Sequence, residues 1–219
     1  MPNIEYELNE KIHAIIINPY LTWNDFCVNC DLIKEYSIKN ISTSLNYLSD
    51  LRECLNNYSA NTNALISYPL ADLPVSIIEE LVYFAKDKGA NGIEYVPNFI
   101  NLYKRNLETF AAEVEKVKLS GLPVTIIINK LKLEKEILYS AIEISLELGI
   151  KNFQFGDGFG PPISSKDVAK ILEITGNQNQ IKIVGGIKKL AQVIDLFDAG
   201  INCVGTSNFY EIFNELKDS

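Results

Sequence analysis

The chain has few of the residues that metal, membrane and nucleic-acid proteins depend on. It carries one histidine, His13, and four cysteines in 219 residues. Cys27 and Cys30 form its single C-x-x-C, and without a second pair the residues do not complete a zinc set. This C-x-x-C falls inside a helical pattern, 23–36, rather than at the mouth of a helix after a strand, where redox pairs sit. It therefore reads as two buried helix-face thiols. Positive charge is also scarce. Lys and Arg number 20 against 28 Asp and Glu, giving a net charge of −8 and a pI near 4.8, which excludes bulk attraction to nucleic acid or to an anionic membrane. No apolar run approaches the roughly 20 residues of a membrane span. The opening Met1-Pro2-Asn3-Ile4-Glu5 lacks the basic and apolar regions of a signal peptide, so a cytoplasmic location is expected. Linkers, low-complexity tracts and 20- to 50-residue repeats are absent as well. With 47% hydrophobic and 22% charged residues, positions 1–219 are expected to form a single domain around one large core.

What the chain does have is a rhythm. Short apolar runs at 13–17, 40–44, 64–68, 92–96, 124–128, 152–155, 181–184 and 203–205 read as strands. Amphipathic stretches at 23–36, 48–55, 74–88, 101–119, 133–148, 166–174, 189–199 and 209–217 read as the helices between them. Eight strand-then-helix units imply an α/β fold, a closed (β/α)8 TIM barrel, because an open flavodoxin-like sheet needs fewer units. Trp23-Asn24-Asp25 marks the opening of the first helix, and Asp72-Leu73-Pro74 a cap and first turn for the third.

Strand alternation assigns the lining of the barrel. In Ile181-Lys182-Ile183-Val184 the isoleucines face the helices and Lys182 points inward. The same rule turns Gln154 and Glu94 inward, sets Thr125 and Asn129 on one face of the fifth strand, and sets Ser42 and Ser44 on one face of the second. Barrel interiors are usually filled by branched aliphatics, so polar groups there need partners or a substrate cavity. Tyr47, Tyr68, Tyr95 and Phe159 are candidates for the rim of the mouth.

Three glycine-bearing turns follow consecutive strands: Gly156-Asp157-Gly158-Phe159-Gly160, Gly185-Gly186-Ile187-Lys188 and Gly205-Thr206-Ser207-Asn208. A turn without Cβ lets backbone N–H groups approach an anion, and the helix that follows adds partial positive charge. In eight-stranded barrels the loops after strands seven and eight commonly hold phosphate. Glycine also serves simply to make strand-to-helix turns, and that reading stands beside the first.

These residues resemble the deoxyribose-phosphate aldolase family over nearly the whole chain. The family's Lys-Thr-Ser-Thr-Gly-Phe near the sixth strand is similar to Gln154-Phe155-Gly156-Asp157-Gly158-Phe159. Its Val-Lys-Ala-Ser-Gly-Gly-Ile-Arg is similar to Ile181-Lys182-Ile183-Val184-Gly185-Gly186-Ile187-Lys188, and its Gly-Thr-Ser-Ser to Gly205-Thr206-Ser207-Asn208. Upstream, Ile-Gly-Phe-Pro-Leu-Gly is similar to Ile66-Ser67-Tyr68-Pro69-Leu70-Ala71, and Gly-Ala-Asp-Glu-Ile-Asp-Met-Val to Gly89-Ala90-Asn91-Gly92-Ile93-Glu94-Tyr95-Val96. The resemblance implies a class I aldolase that joins acetaldehyde to glyceraldehyde 3-phosphate through a lysine Schiff base. It further implies a phosphorylated small-molecule ligand and an oligomer such as a homodimer; no cofactor and no metal are expected.

The chain departs from that pattern where the chemistry lies. The imine lysine position is Gln154, whose amide nitrogen cannot form an imine. The first-strand Ile-Asp-His-Thr becomes Ile12-His13-Ala14-Ile15, the inward lysine of the fifth strand becomes Thr125, and the fourth-strand aspartate becomes Glu94. Lys182, the second lysine of the family pair, is kept. The resemblance places the phosphate site at Gly158, Gly185, Gly186, Lys188, Gly205 and Ser207, with Lys188 giving up the bidentate fork of the family's arginine. Lys182, Glu94 and Gln154 are the candidate catalytic positions.

Three outcomes follow. Lys182 could carry the imine, with Glu94 moving the proton, since burial favours a neutral amine while a neighbouring carboxylate favours the ammonium. Glu94 and Asp157 could instead act as acid and base on a phosphorylated ligand without an imine. The competing class is a pseudoenzyme, a barrel that binds a sugar phosphate, or serves a structural role, without turnover; in it Glu94 and Lys182 are only a buried ion pair.

Overall fold

The computed structural model describes residues 4–130, 132–159 and 162–218. Residues 1–3 of the opening segment and Gly160 of the first glycine turn lie outside them. Eight parallel strands, β1 (Ile12–Ile16), β2 (Asn40–Ser44), β3 (Asn61–Ile66), β4 (Gly92–Tyr95), β5 (Val124–Ile128), β6 (Asn152–Phe155), β7 (Gln180–Val184) and β8 (Cys203–Thr206), close in sequence order, β8 pairing back onto β1. The helices α1 (Ile4–Lys11), α2 (Trp23–Glu35), α3 (Leu48–Leu55), α4 (Val75–Asp87), α5 (Ile100–Tyr103), α6 (Leu107–Lys118), α7 (Lys135–Glu147), α8 (Ser165–Thr175), α9 (Leu190–Asp198) and α10 (Phe209–Lys217) complete a (β/α)8 barrel.

The alternation read from the strands is the observed one. On β6, Phe153 and Phe155 face the helices with no exposed surface, while Gln154 between them faces the interior. Fully burying each phenylalanine contributes about 1.5–3 kcal/mol, and a one-residue slip would set the Gln154 amide in their place against the apolar helix faces. Tyr95 follows the same parity. It points away from the barrel axis, is fully buried, and its hydroxyl donates to the buried carboxylate of Glu113 on α6, so it is not a rim residue.

Differences from the expected elements have local causes. The stretch 101–119 is two helices, because Arg105 takes a left-handed φ of 57° and Asn106 begins a new helix by accepting the Thr109 N–H at 3.3 Å. Helix α1 precedes the first strand in a segment with no apolar periodicity to announce it. At the start of α2 the expected opening is completed by one residue more: Thr22 accepts the Asp25 N–H while Asp25 accepts the Thr22 N–H and hydroxyl, a capping box. Pro74 precedes α4 without a side-chain cap, Asp72 being two residues too early.

Candidate functional site

The interior carries one buried charged cluster. Lys182 on β7 reaches across the barrel to Glu94 on β4, Nζ to Oε1 2.5 Å, with 4% and 2% of the side chains exposed. Ser42 on β2 lies between them: its hydroxyl donates to Glu94 Oε1 at 2.8 Å and accepts from Lys182 Nζ at 3.1 Å. Two charges in low dielectric tolerate burial when paired and hydrogen-bonded, and this pair meets that condition on one carboxylate oxygen. The other oxygen, Glu94 Oε2, is buried without a hydrogen-bond partner, as are His13 Nδ1 and Gln154 Oε1. Gln154 instead donates from Nε2 to the Gly156 carbonyl at 3.1 Å, and its Cα pairs with that of Lys182 on the neighbouring strand. Glu94 Oε2 and His13 Nδ1 thus lie unpartnered at the ion pair, a setting that suits a hydroxyl or a water.

His13 lies 4.0 Å from Glu94 Oε1, a contact that favours the imidazolium, yet burial first and the Lys182 ammonium second hold its pKa well below 6.5. The unfolded chain therefore takes up the proton more readily than the folded one. The stability this gives is complete above pH 6.5 and is lost as pH falls below it, by up to about 1.4 kcal/mol per pH unit. His13→Asn flattens the stability profile between pH 6.5 and 5 in urea titrations. An unchanged slope contradicts the buried neutral imidazole.

Above the charged cluster the interior turns apolar. Leu65, Val96 and Ile127 form a separate buried group on the side toward the strand C-termini, with Ile17, Tyr68 and Phe99 packed on it. Beside it, at the ends of β7 and β8, lies a cavity of about 160 Å³ lined by Ile15, Tyr68, Gly158, Phe159, Val184, Gly185, Gly186, Gly205, Thr206, Ser207 and Asn208, among others. Five of the six positions assigned to phosphate line it. Lys188 does not: its side chain is exposed, and its N–H donates to Gln192 Oε1 at 2.9 Å, as does that of Lys189 at 3.1 Å. The two loops are tied together where Thr206 Oγ1 donates to the Ile187 carbonyl at 2.7 Å and accepts the Asn208 N–H at 3.0 Å.

Most of the glycines are required by the backbone. At Gly156, φ is 90° and a Cβ would stand 2.0 Å from the Val184 carbonyl oxygen; at Gly205 it would stand 2.8 Å from Val184 Cγ2. Gly158 has more room, its nearest obstacle being the Tyr68 hydroxyl at 3.3 Å, the far end of a side chain that also lines the cavity.

Asp157 closes the turn rather than the cavity. Its carboxylate pairs with Lys132 at 2.9 Å and accepts the Phe159 N–H at 3.0 Å, and its carbonyl accepts the Tyr68 hydroxyl at 2.7 Å. Burial pushes its pKa up, but the bonds from Asn129, Lys132 and Phe159 outweigh that and hold it below the usual range, which suits a fixed carboxylate better than a general acid. Tyr68 and Phe159 do stand at the mouth, rings 6.2 Å apart. Tyr47 packs on Phe26, with its hydroxyl on the Asn18 carbonyl. Thr206 and Asn208 of the third glycine turn line the cavity as well, as do Ile15 and Val184, whose apolar side chains carry no binding signal in the sequence. Val184 shares the inward parity of Lys182 two residues before it.

The strands and helices close a (β/α)8 barrel with an inward lysine–carboxylate pair beneath glycine-rich loops. No family model matches the chain. Across 96% of its length it is 27% identical to the deoxyribose-phosphate aldolase of Dictyoglomus turgidum, 98% of which is covered. Among solved structures, an aldolase called QR15 superposes with a TM-score of 0.89 at 19% identity, covering 96% of each chain. A tetrameric deoxyribose phosphate aldolase from Aeropyrum pernix superposes with a TM-score of 0.85 at 18% identity, over 99% of this chain and 93% of that one. The chain is a homologue of the deoxyribose-phosphate aldolases.

Proposed function

We propose that this aldolase-like barrel binds a phosphorylated sugar or aldehyde at the C-terminal face, and that aldol chemistry, where it occurs, runs through Lys182. The observation that carries this reading is the cavity itself. Its wall is built from the turns after β7 and β8, with three glycines of those turns and Ser207 in its lining, and Tyr68 and Phe159 stand at its mouth. No cation is among its lining residues, so an anion there is held by N–H groups and hydroxyls, and modest affinity is expected. Imine formation needs a neutral amine. Transfer of one proton from Lys182 Nζ to Glu94 Oε1, 2.5 Å away, supplies it and leaves Glu94 as the acid for later steps.

A second reading, binding without turnover, is favoured by the closeness of that same contact and by Gln154 at the imine position of the family. Deoxyribose 5-phosphate at 100 times its Kd stabilises the fold by about 2.7 kcal/mol under either reading, which a thermal shift detects. Borohydride reduction in the presence of the same ligand separates them. An adduct on Lys182, with release of glyceraldehyde 3-phosphate, supports the aldolase. A thermal shift without adduct supports the binder, and no shift with any sugar phosphate removes both. The homologues also make an oligomer, such as a homodimer, the expected assembly. No described helix is long and apolar enough to cross a membrane.

A further inference from the structure

The C-x-x-C of α2 is not the pair of buried helix-face thiols that the sequence suggests, because Cys27 is partly exposed and a third cysteine meets it. Cys54, at the end of α3, places its sulfur 3.6 Å from that of Cys27. Both are partly exposed, whereas Cys30, one turn further along α2, is fully buried behind them. The two sulfurs come from helices that pack directly on each other, and 27 residues separate them in sequence, so the contact is tertiary and not a by-product of helical spacing. Contact between two thiols on neighbouring helices brings the sulfurs within reach of a bond about 2.05 Å long.

We propose that Cys27 and Cys54 form a reversible redox modification site, a dithiol that a small-molecule disulfide oxidises to an intramolecular bond between α2 and α3. The exchange balances in two steps. Cys27 Sγ, as thiolate, attacks one sulfur of the small disulfide, forming a mixed disulfide and expelling the other half as a thiolate that takes up a proton. Cys54 Sγ then attacks the Cys27 sulfur, forming the Cys27–Cys54 bond and expelling the second half. Two protein thiols are oxidised, one external disulfide is reduced to two thiols, and the protons lost by the cysteines end on the leaving groups.

The surroundings select the pair. The Cys54 thiol is pushed up by burial first and then by Cys27, and the Cys30 thiol is pushed up to about 12, mainly by burial. Cys30, fully buried behind the pair, is a spectator, and the exchange is left to Cys27 and Cys54. Cys203 stands apart, inside the barrel on β8, with burial raising its thiol to about 11. The bond would enclose residues 28–53, and with them β2, the strand that carries Ser42 to the charged cluster. A cross-link across that loop restricts the unfolded chain and raises the melting temperature of the oxidised form.

The test is oxidation of the intact protein by oxidised glutathione, followed by thiol counting, intact mass and non-reducing peptide mapping. The expected result is a fall from four titratable thiols to two, a mass loss of two hydrogens, and a single cross-linked peptide joining Cys27 to Cys54, all reversed by dithiothreitol. Cys54→Ser should stop at a glutathione adduct on Cys27, and Cys27→Ser should form no intramolecular bond. Both side chains are partly exposed and serine is nearly isosteric, so the variants are expected to fold, and circular dichroism checks this. The proposal is overturned if all four thiols survive, if the cross-link maps to Cys30 or Cys203, or if only bonds between molecules appear.

Discussion

Replacing Glu94 with alanine lowers the unfolding free energy by about 3–5 kcal/mol, because it strands the Lys182 ammonium in the barrel with Ser42 as its remaining hydrogen-bond partner. Lys182→Met has a cost of the same kind, leaving the Glu94 carboxylate buried with the Ser42 hydroxyl as its hydrogen-bond partner and His13 4.0 Å away. The informative variant is the double one. A Glu94→Leu, Lys182→Met chain removes both charges together, and such replacements are often neutral or stabilising by about 1–4 kcal/mol. Urea titrations at unchanged m-value give all three numbers. If Glu94→Ala costs less than about 1 kcal/mol, the pair is not the buried contact described here, since that is the range of exposed ion pairs.

Gly156→Ala is expected to cost about 4 kcal/mol, the sum of left-handed backbone strain and a clash in a packed interior. Its Cβ would meet the Val184 carbonyl oxygen, a backbone atom fixed in the β7 strand, at 2.0 Å and with φ at 90°. Gly158→Ala meets only the Tyr68 hydroxyl, at 3.3 Å, so its stability cost is mainly that of the backbone conformation, about 1–2 kcal/mol, and its methyl group is added to a residue that lines the cavity. The pair therefore separates a glycine kept for the fold from one whose loss falls on ligand binding. Equal destabilisation by the two substitutions would remove that distinction.

The barrel was legible because each strand is a short apolar run bounded by turn residues, and period-two alternation then sorts inside from outside. Glu94, Gln154 and Lys182 came out inward on that rule alone. Tyr95 shows the rule applied unevenly: an inward Glu94 already requires its neighbour to face the helices. Pairing across the barrel is harder to read. Glu94 and Lys182 sit on strands that are not adjacent and lie 88 residues apart, so sequence offered an ion pair only as one outcome, and the part played by Ser42 and His13 was out of reach. Lys188 lies on a loop whose backbone Gln192 holds, and its side chain is exposed rather than turned to the cavity. The meeting of Cys27 with Cys54 depends on how α2 packs against α3, and no single helical pattern contains it.

Calorimetric titration of deoxyribose 5-phosphate into the wild-type chain and into Gly158→Ala tests the central claim, a ligand site at the C-terminal face, most directly. The expected result is saturable binding at one site per chain, weakened at least about tenfold in the variant, a difference of roughly 1.4 kcal/mol. Absence of binding to the wild type at millimolar ligand, or equal affinity in the two proteins, contradicts it.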